Sequence, residues 1–203
     1  MKAGLFFTAV HGNLASWIIR RVTGGPYSHV GIYFVDHRAP HDVYFESHWG
    51  QWDRNGKSGV RGPLPLVNLQ AWESGSPKHI LKIQPPLPVS EDEALEMFVA
   101  LDDATRSIHY AKLQLFHNWI RCRLGLSWYW GHGSSRRWTC SETAVRVLPE
   151  WLRGRLRFSH QGIGDIIYDD IMPGGINGVY EAVEALLEAD AMESRGETEL
   201  GGC

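Results

Sequence analysis

The stretches SHVGIYFV (28–35) and DVYFESH (42–48) decide the fold of this 203-residue chain. Apolar residues recur at every second position in both, which is typical of strands that bury one face. The turn-like sequence DHRAPH (36–41) separates them, so the pair predicts an antiparallel hairpin. Burying both apolar sets on one face places His29, Glu46 and His48 together on the other.

The flanking sequence predicts further elements around this hairpin. We expect strands over 3–9 and 78–84, and a long surface excursion over the Gly-, Pro-, Ser- and Trp-rich segment 49–77. An aromatic loop is predicted over 124–137. Helices are predicted after Asn13, after the capping box of Ser90 and Glu93, over 111–123, from Cys140 to before Pro149, and over 176–191. The fold class is therefore expected to be α+β, a small antiparallel sheet packed with helices.

Composition favours a single globular domain. Hydrophobic residues are 43% and charged residues 21%, which excludes a wholly disordered chain, a collagen-like fibre and a coiled coil. We expect one domain over 1–191 and a disordered acidic and polar tail over 192–203. Residues 181–203 carry seven acids against one arginine, whereas 120–160 carry eight arginines against two acids. The net charge of −3 gives no basic field that would suggest nucleic acid as a partner.

Cysteine usage and hydropathy bear on the compartment. The three cysteines form no CxxC pair and no even framework, which indicates a reducing environment. The N-terminal apolar run is too short for a signal peptide, and the uncharged stretch 3–19 contains His11, Asn13 and Ser16, so no transmembrane segment is predicted. We expect a cytoplasmic protein, with delivery by a phage particle or a secretion system as the alternative. The oligomeric state stays open.

Cys140 is the strongest candidate nucleophile. It follows Thr139, a suitable N-cap, so it would lie in the first turn of a helix, where free N–H groups and the helix dipole stabilise a thiolate. The same amides could bind an oxyanion. The alternative is a small buried apolar residue, which describes most free cysteines and fits Cys122 better. Cys203 ends a Gly-Gly-Cys tail and is expected to be exposed.

Three short motifs resemble one family. They are Ser28-His29-Val30-Gly31-Ile32-Tyr33, Val43-Tyr44-Phe45-Glu46 and Thr139-Cys140-Ser141-Glu142. Together they resemble the NlpC-type, circularly permuted papain-like thiol hydrolases, a set that includes the YiiX-like group and is related to the lecithin retinol acyltransferases. The order His, Glu, Cys is that of the permuted group, and a triad is defined by geometry rather than chain order. The resemblance covers about residues 3–170.

The resemblance implies a role for each matched residue. Cys140 would be the nucleophile, His29 the base and Glu46 the residue that orients His29. His48 competes for the third role, but a carboxylate stabilises imidazolium better than a second imidazole does. Further residues are predicted to line the substrate site, although the tryptophans could equally be core residues: Tyr27, Ser28, Trp128, Trp130 and Ser141.

The predicted function is a cysteine hydrolase that cleaves an amide or ester bond through a thioacyl-enzyme. The family suggests a peptide, a peptidoglycan stem or a lipid acyl group as substrate. The alternatives are a lipid acyltransferase or thioesterase, and a catalytically silent binding module with the same fold. No metal or other cofactor is expected, because the His37-x3-His41 pair lies in a predicted turn and no HExxH or Gly-rich phosphate loop is present.

Overall fold

The predicted hairpin forms the centre of a five-stranded sheet. A computed structural model describes residues 1–23, 25–48, 59–110, 137–156 and 174–194. The sheet is antiparallel throughout, in the order β4-β3-β2-β1-β5, and β6 pairs with β7 in a separate parallel ladder. The strands are β1 (Lys2–Val10), β2 (His29–Val35), β3 (Val43–His48), β4 (Gly59–Pro65), β5 (His79–Pro86), β6 (His109–Tyr110) and β7 (Arg137–Trp138).

Six helices accompany the strands within the described ranges. They are α1 (Leu14–Thr23), α2 (Leu66–Ser74), α3 (Glu91–Ser107), α4 (Cys140–Arg146), α5 (Glu150–Arg155) and α6 (Gly174–Ser194). The expected fold class, α+β with an antiparallel sheet packed by helices, is therefore confirmed. None of these helices is both long and apolar enough to cross a membrane.

Alternation along the strands divides the apolar residues between two clusters. The larger cluster includes Phe7, Ile32 and Phe45 from the sheet, together with residues of α3, α4 and α6. The smaller cluster contains Phe6, Tyr33 and Tyr44 and is covered by the leucines of α2. Burying one such side chain contributes about 1.5–3 kcal/mol, so both clusters hold the register of the hairpin.

Three of the predicted helix starts are confirmed by their hydrogen bonds. Asn13 Oδ1 accepts the Ser16 N–H at 3.0 Å at the start of α1. At the start of α3, Ser90 and Glu93 form both bonds of a capping box. Thr139 caps α4 in the same way, with Glu142 as its reciprocal partner. Each of these motifs is local, and for that reason it could be recognised in the sequence.

The expectation of a surface excursion over 49–77 is wrong for its described part. Residues 59–65 form strand β4 and residues 66–74 form helix α2. The prolines of GVRGPLP suggested a loop, but β4 lies at the edge of the sheet, where a strand tolerates proline because one side needs no ladder hydrogen bonds. Helix α5 was also not predicted.

Several further boundaries differ from the predictions, and several predictions lie outside the described residues. Arg137, expected to end the aromatic loop, belongs to β7, and α6 extends to Ser194 rather than 191. The predicted helix over 111–123, the rest of the aromatic loop over 124–136 and residues 195–203 of the predicted tail are outside the described ranges. The division into one domain and a tail stays a prediction.

Candidate active site

His29 and Glu46 are hydrogen-bonded across neighbouring strands. His29 is the first residue of β2, and Glu46 lies opposite Gly31 in the β2–β3 register. The His29 Nε2 to Glu46 Oε2 distance is 2.7 Å. Because an ionised carboxylate only accepts hydrogen bonds, Nε2 carries the proton and donates it. Nδ1 is therefore the ring nitrogen left for another partner.

Cys140 approaches the same imidazole from the helical layer. It is the first residue of α4, and 4% of its surface is exposed. The Ser47 hydroxyl donates to the Trp138 carbonyl at 3.4 Å, which connects β3 to the residues directly before α4. The Cys140 and His29 side chains lie close enough to interact electrostatically, and this interaction raises the pKa of His29. The structure thus brings together three residues that are far apart in the sequence.

The electrostatics of the His29 imidazole follow from these contacts. Burial lowers the pKa of His29, but hydrogen bonds and charge interactions with Cys140 and Glu46 outweigh burial, and the pKa is raised above its ordinary value. Burial likewise raises the pKa of Glu46, yet the hydrogen bonds and positive charges of His29 and Arg61 hold it below its ordinary value. His29 is therefore protonated and Glu46 ionised at neutral pH.

Arg61 is a member of this cluster that the sequence analysis missed. It lies on β4 opposite Glu46, and its Nε donates to Glu46 Oε1 at 2.7 Å. Its Nη2 donates to the same oxygen. Arg61 stands in the segment that was expected to be a surface excursion, so no strand pattern placed it beside Glu46.

Gly31 leaves room beside the cluster for an aromatic ring. A Cβ on Gly31 would lie 2.3 Å from Phe6 Cζ and 2.7 Å from the Phe45 carbonyl oxygen. Phe6 is fully buried and packs edge-to-face on Tyr44, with ring centroids 5.4 Å apart. A side chain at position 31 would therefore displace the Phe6 ring from its packing on Tyr44.

The structure places three of the predicted substrate-site residues. Tyr27 is buried and packs against Phe7 and Tyr180, with ring centroids 5.5 and 4.8 Å apart. The Ser28 hydroxyl lies 2.8 Å from the Ser16 hydroxyl, which ties the residue before His29 to α1. Ser141 is buried, with its hydroxyl 3.2 Å from that of Thr139. Their role in substrate binding stays a prediction.

Three other predicted residues cannot be placed at the site. Trp128 and Trp130 lie outside the described residues. For His48 the structure describes the backbone, which pairs with Gly59 at the end of β3. The hydrogen bond to Glu46 supports Glu46 as the partner of His29, and the competing assignment of His48 stays open.

The site consists of a thiol, an imidazole, a carboxylate and a guanidinium. Such a set can move a proton between sulfur and nitrogen and hold the resulting imidazolium, which is the requirement for a nucleophilic cysteine. Within the described ranges, no three His, Cys, Asp or Glu side chains converge in a way that could hold a metal ion. No protein-family model matches the chain, and a search of curated proteins finds no match.

Proposed function

We propose that the protein is a cysteine hydrolase in which Cys140 attacks the carbonyl carbon of an amide or ester. The observation that carries the proposal is the approach of Cys140 to the His29 imidazole, which is itself hydrogen-bonded to Glu46. These residues are separated by 111 and 17 positions in the chain, so their meeting is a property of the tertiary structure. The motif resemblance to permuted papain-like hydrolases supports the same reading.

The chemistry follows from the proton positions. The proton released when the Cys140 thiol ionises is held by His29, and the sulfur forms a bond to the carbonyl carbon. When the tetrahedral intermediate collapses, the carbon–nitrogen or carbon–oxygen bond breaks and His29 returns the proton to the leaving amine or alcohol. Water, deprotonated by His29, then hydrolyses the thioester and regenerates the thiol. Glu46 accepts the Nε2–H throughout and stabilises the imidazolium.

The proposed reaction defines the bond that is cleaved, an amide or an ester, but not the molecule that contains it. A peptide, a peptidoglycan stem and a lipid acyl group each present a suitable carbonyl, and acyl transfer to an alcohol or amine would follow the same first step. The permuted papain-like fold and a cytoplasmic location, or delivery by a phage particle or secretion system, belong to this proposal as well.

Site-resolved alkylation tests the nucleophile. Iodoacetamide labelling at neutral pH, followed by peptide mass spectrometry, should give a far higher rate for Cys140 than for Cys122, because a thiolate paired with imidazolium reacts where a thiol does not. His29→Gln should slow Cys140 and leave Cys122 unchanged. Equal slow rates in the native protein would contradict the assignment. Cys203 is scored separately, since exposure by itself makes a thiol reactive.

Acyl-enzyme trapping tests the reaction. We would mix the protein with p-nitrophenyl acetate, p-nitrophenyl decanoate or a peptide p-nitroanilide and follow the released chromophore. An acyl adduct on Cys140, absent in Cys140→Ala and retained in Cys122→Ala, is expected. Preference for the decanoate would favour a lipid acyl substrate, and preference for the anilide would favour a peptide. Reactive Cys140 without any adduct from the three probes would favour a silent binding module.

A further inference from the structure

We propose that Arg61 is a positioning residue of this site, which holds one oxygen of the Glu46 carboxylate so that the other faces His29. The inference rests on the proposed function, because it concerns how the third residue of that site is held. Among the described residues, no hydrogen bond joins Arg61 to Cys140 or to the His29 imidazole. It would act through Glu46 alone.

The two oxygens of the Glu46 carboxylate have different hydrogen-bond partners. Oε1 accepts both Nε and Nη2 of Arg61, and Oε2 accepts Nε2 of His29. The terminal torsion of a glutamate is soft, so a carboxylate with a single partner can rotate away from it. Two donors from a rigid guanidinium fork on one oxygen resist that rotation. The second oxygen is thereby kept on the imidazole.

The strand geometry places Arg61 where it can do this. Glu46 pairs with Arg61 in the β3–β4 register, directly after an irregularity between Tyr44 and Glu46. Irregularities of this kind re-aim side chains next to functional sites. The Glu46 side chain is 8% exposed, whereas that of Arg61 is 38% exposed. The guanidinium therefore reaches a buried carboxylate from the solvent side of the edge strand.

The charges around Glu46 define what the removal of Arg61 would change. His29 faces it from β2, Arg61 from β4 and Tyr44 from its own strand, and Cys140 reaches the imidazole from α4. Burial raises the pKa of Glu46, and the hydrogen bonds and positive charges of His29 and Arg61 lower it. Without Arg61, His29 would remain as the cationic partner of the buried carboxylate. Oε1 would lose both of its Arg61 donors, which is unfavourable for a buried charged group.

Carboxyl titration gives the direct test. Protein labelled with ¹³C at the glutamate carboxyls, with the Glu46 signal assigned by its loss in Glu46→Gln, would be titrated by NMR. Arg61→Gln should raise the titration midpoint of Glu46 by about one pH unit or more. Arg61→Lys should raise it less, because lysine restores the charge without the fork. Arg38→Gln, which removes an exposed arginine from Asp36 and Glu91, should leave it unchanged.

Cysteine reactivity shows whether the positioning reaches the nucleophile. Arg61→Gln should slow alkylation of Cys140 at neutral pH by about 10- to 100-fold, the size of effect known for the groups that orient metal-bound histidines. Arg61→Lys should recover part of that loss. In a Glu46→Gln background, Arg61→Gln should change the rate by less than about twofold, because a residue that acts through another shows no separate effect.

The outcomes separate this inference from the proposed function. If native Cys140 is unreactive, the hydrolase proposal fails, while the Glu46 titration still reports on Arg61. If Cys140 is reactive and Arg61→Gln changes neither the midpoint nor the rate, the positioning role is wrong. Additive losses in the double variant would also overturn it and indicate a general structural role. Should Arg61→Gln not fold, Arg61→Lys and the double variant, which lacks the buried charge, decide the question.

Discussion

Two buried carboxylates, those of Glu142 and Glu46, obtain the partners that a buried charge needs in different ways. Glu142, fully buried in the first turn of α4, accepts the N–H of Thr139 at 2.6 Å, and the Thr139 hydroxyl accepts the Glu142 N–H at 3.3 Å. Glu46, 6% exposed on β3, is satisfied by His29 and Arg61 from the two neighbouring strands. A buried charge needs partners, and here one set is local and the other comes from across the sheet.

The difference shows what each region does. The Glu142 carboxylate contacts the Thr139 N–H and the Arg146 guanidinium, which are three and four residues away, and the contact with Thr139 fixes the start of the helix that presents Cys140. The partners of Glu46 are 17 and 15 residues away and include a titratable imidazole. The cap fixes the backbone conformation at the start of α4, whereas the Glu46 cluster stabilises the protonated His29 imidazole. Under the proposed function, the first region places the nucleophile and the second makes it reactive.

The largest expected effect comes from neutralising the two carboxylates in turn. Glu46→Gln should lower turnover, or the alkylation rate of Cys140, by about 10²- to 10⁴-fold, because the imidazolium loses its counter-charge. Glu142→Gln should change either by less than about tenfold, since glutamine also completes a capping box. Circular dichroism would confirm folding of both. Equal losses would contradict the proposed difference between the two carboxylates. If His48→Gln were inactive while Glu46→Gln stayed active, His48 rather than Glu46 would be the residue that orients His29.

The pH dependence of stability should differ between native protein and Glu46→Gln. Because the pKa of Glu46 is lowered in the fold, its contribution is fully present above about pH 4.5 and is lost as the pH falls towards the folded-state pKa. The contribution is of the order of 3 kcal/mol for a pKa lowered from 4.5 to about 2. His29, whose pKa is raised, contributes below about pH 6.5 and loses that contribution as the pH rises.

Urea unfolding from pH 3 to pH 7 would measure that difference. The free energy of unfolding of the native protein should approach that of Glu46→Gln as the pH is lowered below about 4.5. Other carboxylates titrate in both proteins and cancel in the comparison. A constant gap across this range would mean that the Glu46 carboxylate is not held in its ionised form.

Gly31 lies opposite Glu46 in the β2–β3 register. Gly31→Ala should lower the free energy of unfolding by about 1–3 kcal/mol, the usual cost of overpacking a core. The new methyl group would meet the buried Phe6 ring and the Phe45 carbonyl. The matched control is Gly154→Ala in α5, where nothing lies within 4 Å. That substitution should stabilise by up to about 1 kcal/mol through helix propensity. Thermal unfolding would measure both, and a neutral Gly31→Ala would show that Phe6 has room to move.

The smallest effect is expected at the cap of α4. Thr139→Ala should cost about 1 kcal/mol of stability because the Glu142 N–H loses its acceptor, and Thr139→Ser should cost less because the hydroxyl is kept. Ser90→Ala offers a comparison at the exposed cap of α3. If Thr139→Ala instead removed the reactivity of Cys140 with the fold intact, the cap would share the role assigned to the Glu46 cluster. Urea unfolding and alkylation together would decide.

Local and near-local patterns were sufficient for much of the fold. The alternation in 28–35 and 42–48 predicted β2, β3 and their shared polar face, because side chains on a strand point to opposite sides in turn. The capping box of Ser90 with Glu93 and the N-cap residue Thr139 predicted two helix starts, since a cap involves only a few neighbouring residues. The contact between His29 and Glu46 follows from the same register. These are features that a short stretch of chain determines by itself.

The tertiary structure alone decided the rest. Strand β4 is poor in the residues that favour strands, and it exists because β3 offers it a free edge on which prolines are tolerated. That pairing brings Arg61 to Glu46, and the packing of α4 on the sheet brings Cys140 to His29. The sequence determined which residues could carry the chemistry. Two of the contacts depend on long-range packing, because the pairs Arg61–Glu46 and Cys140–His29, 15 and 111 residues apart, leave no periodic signal in the chain.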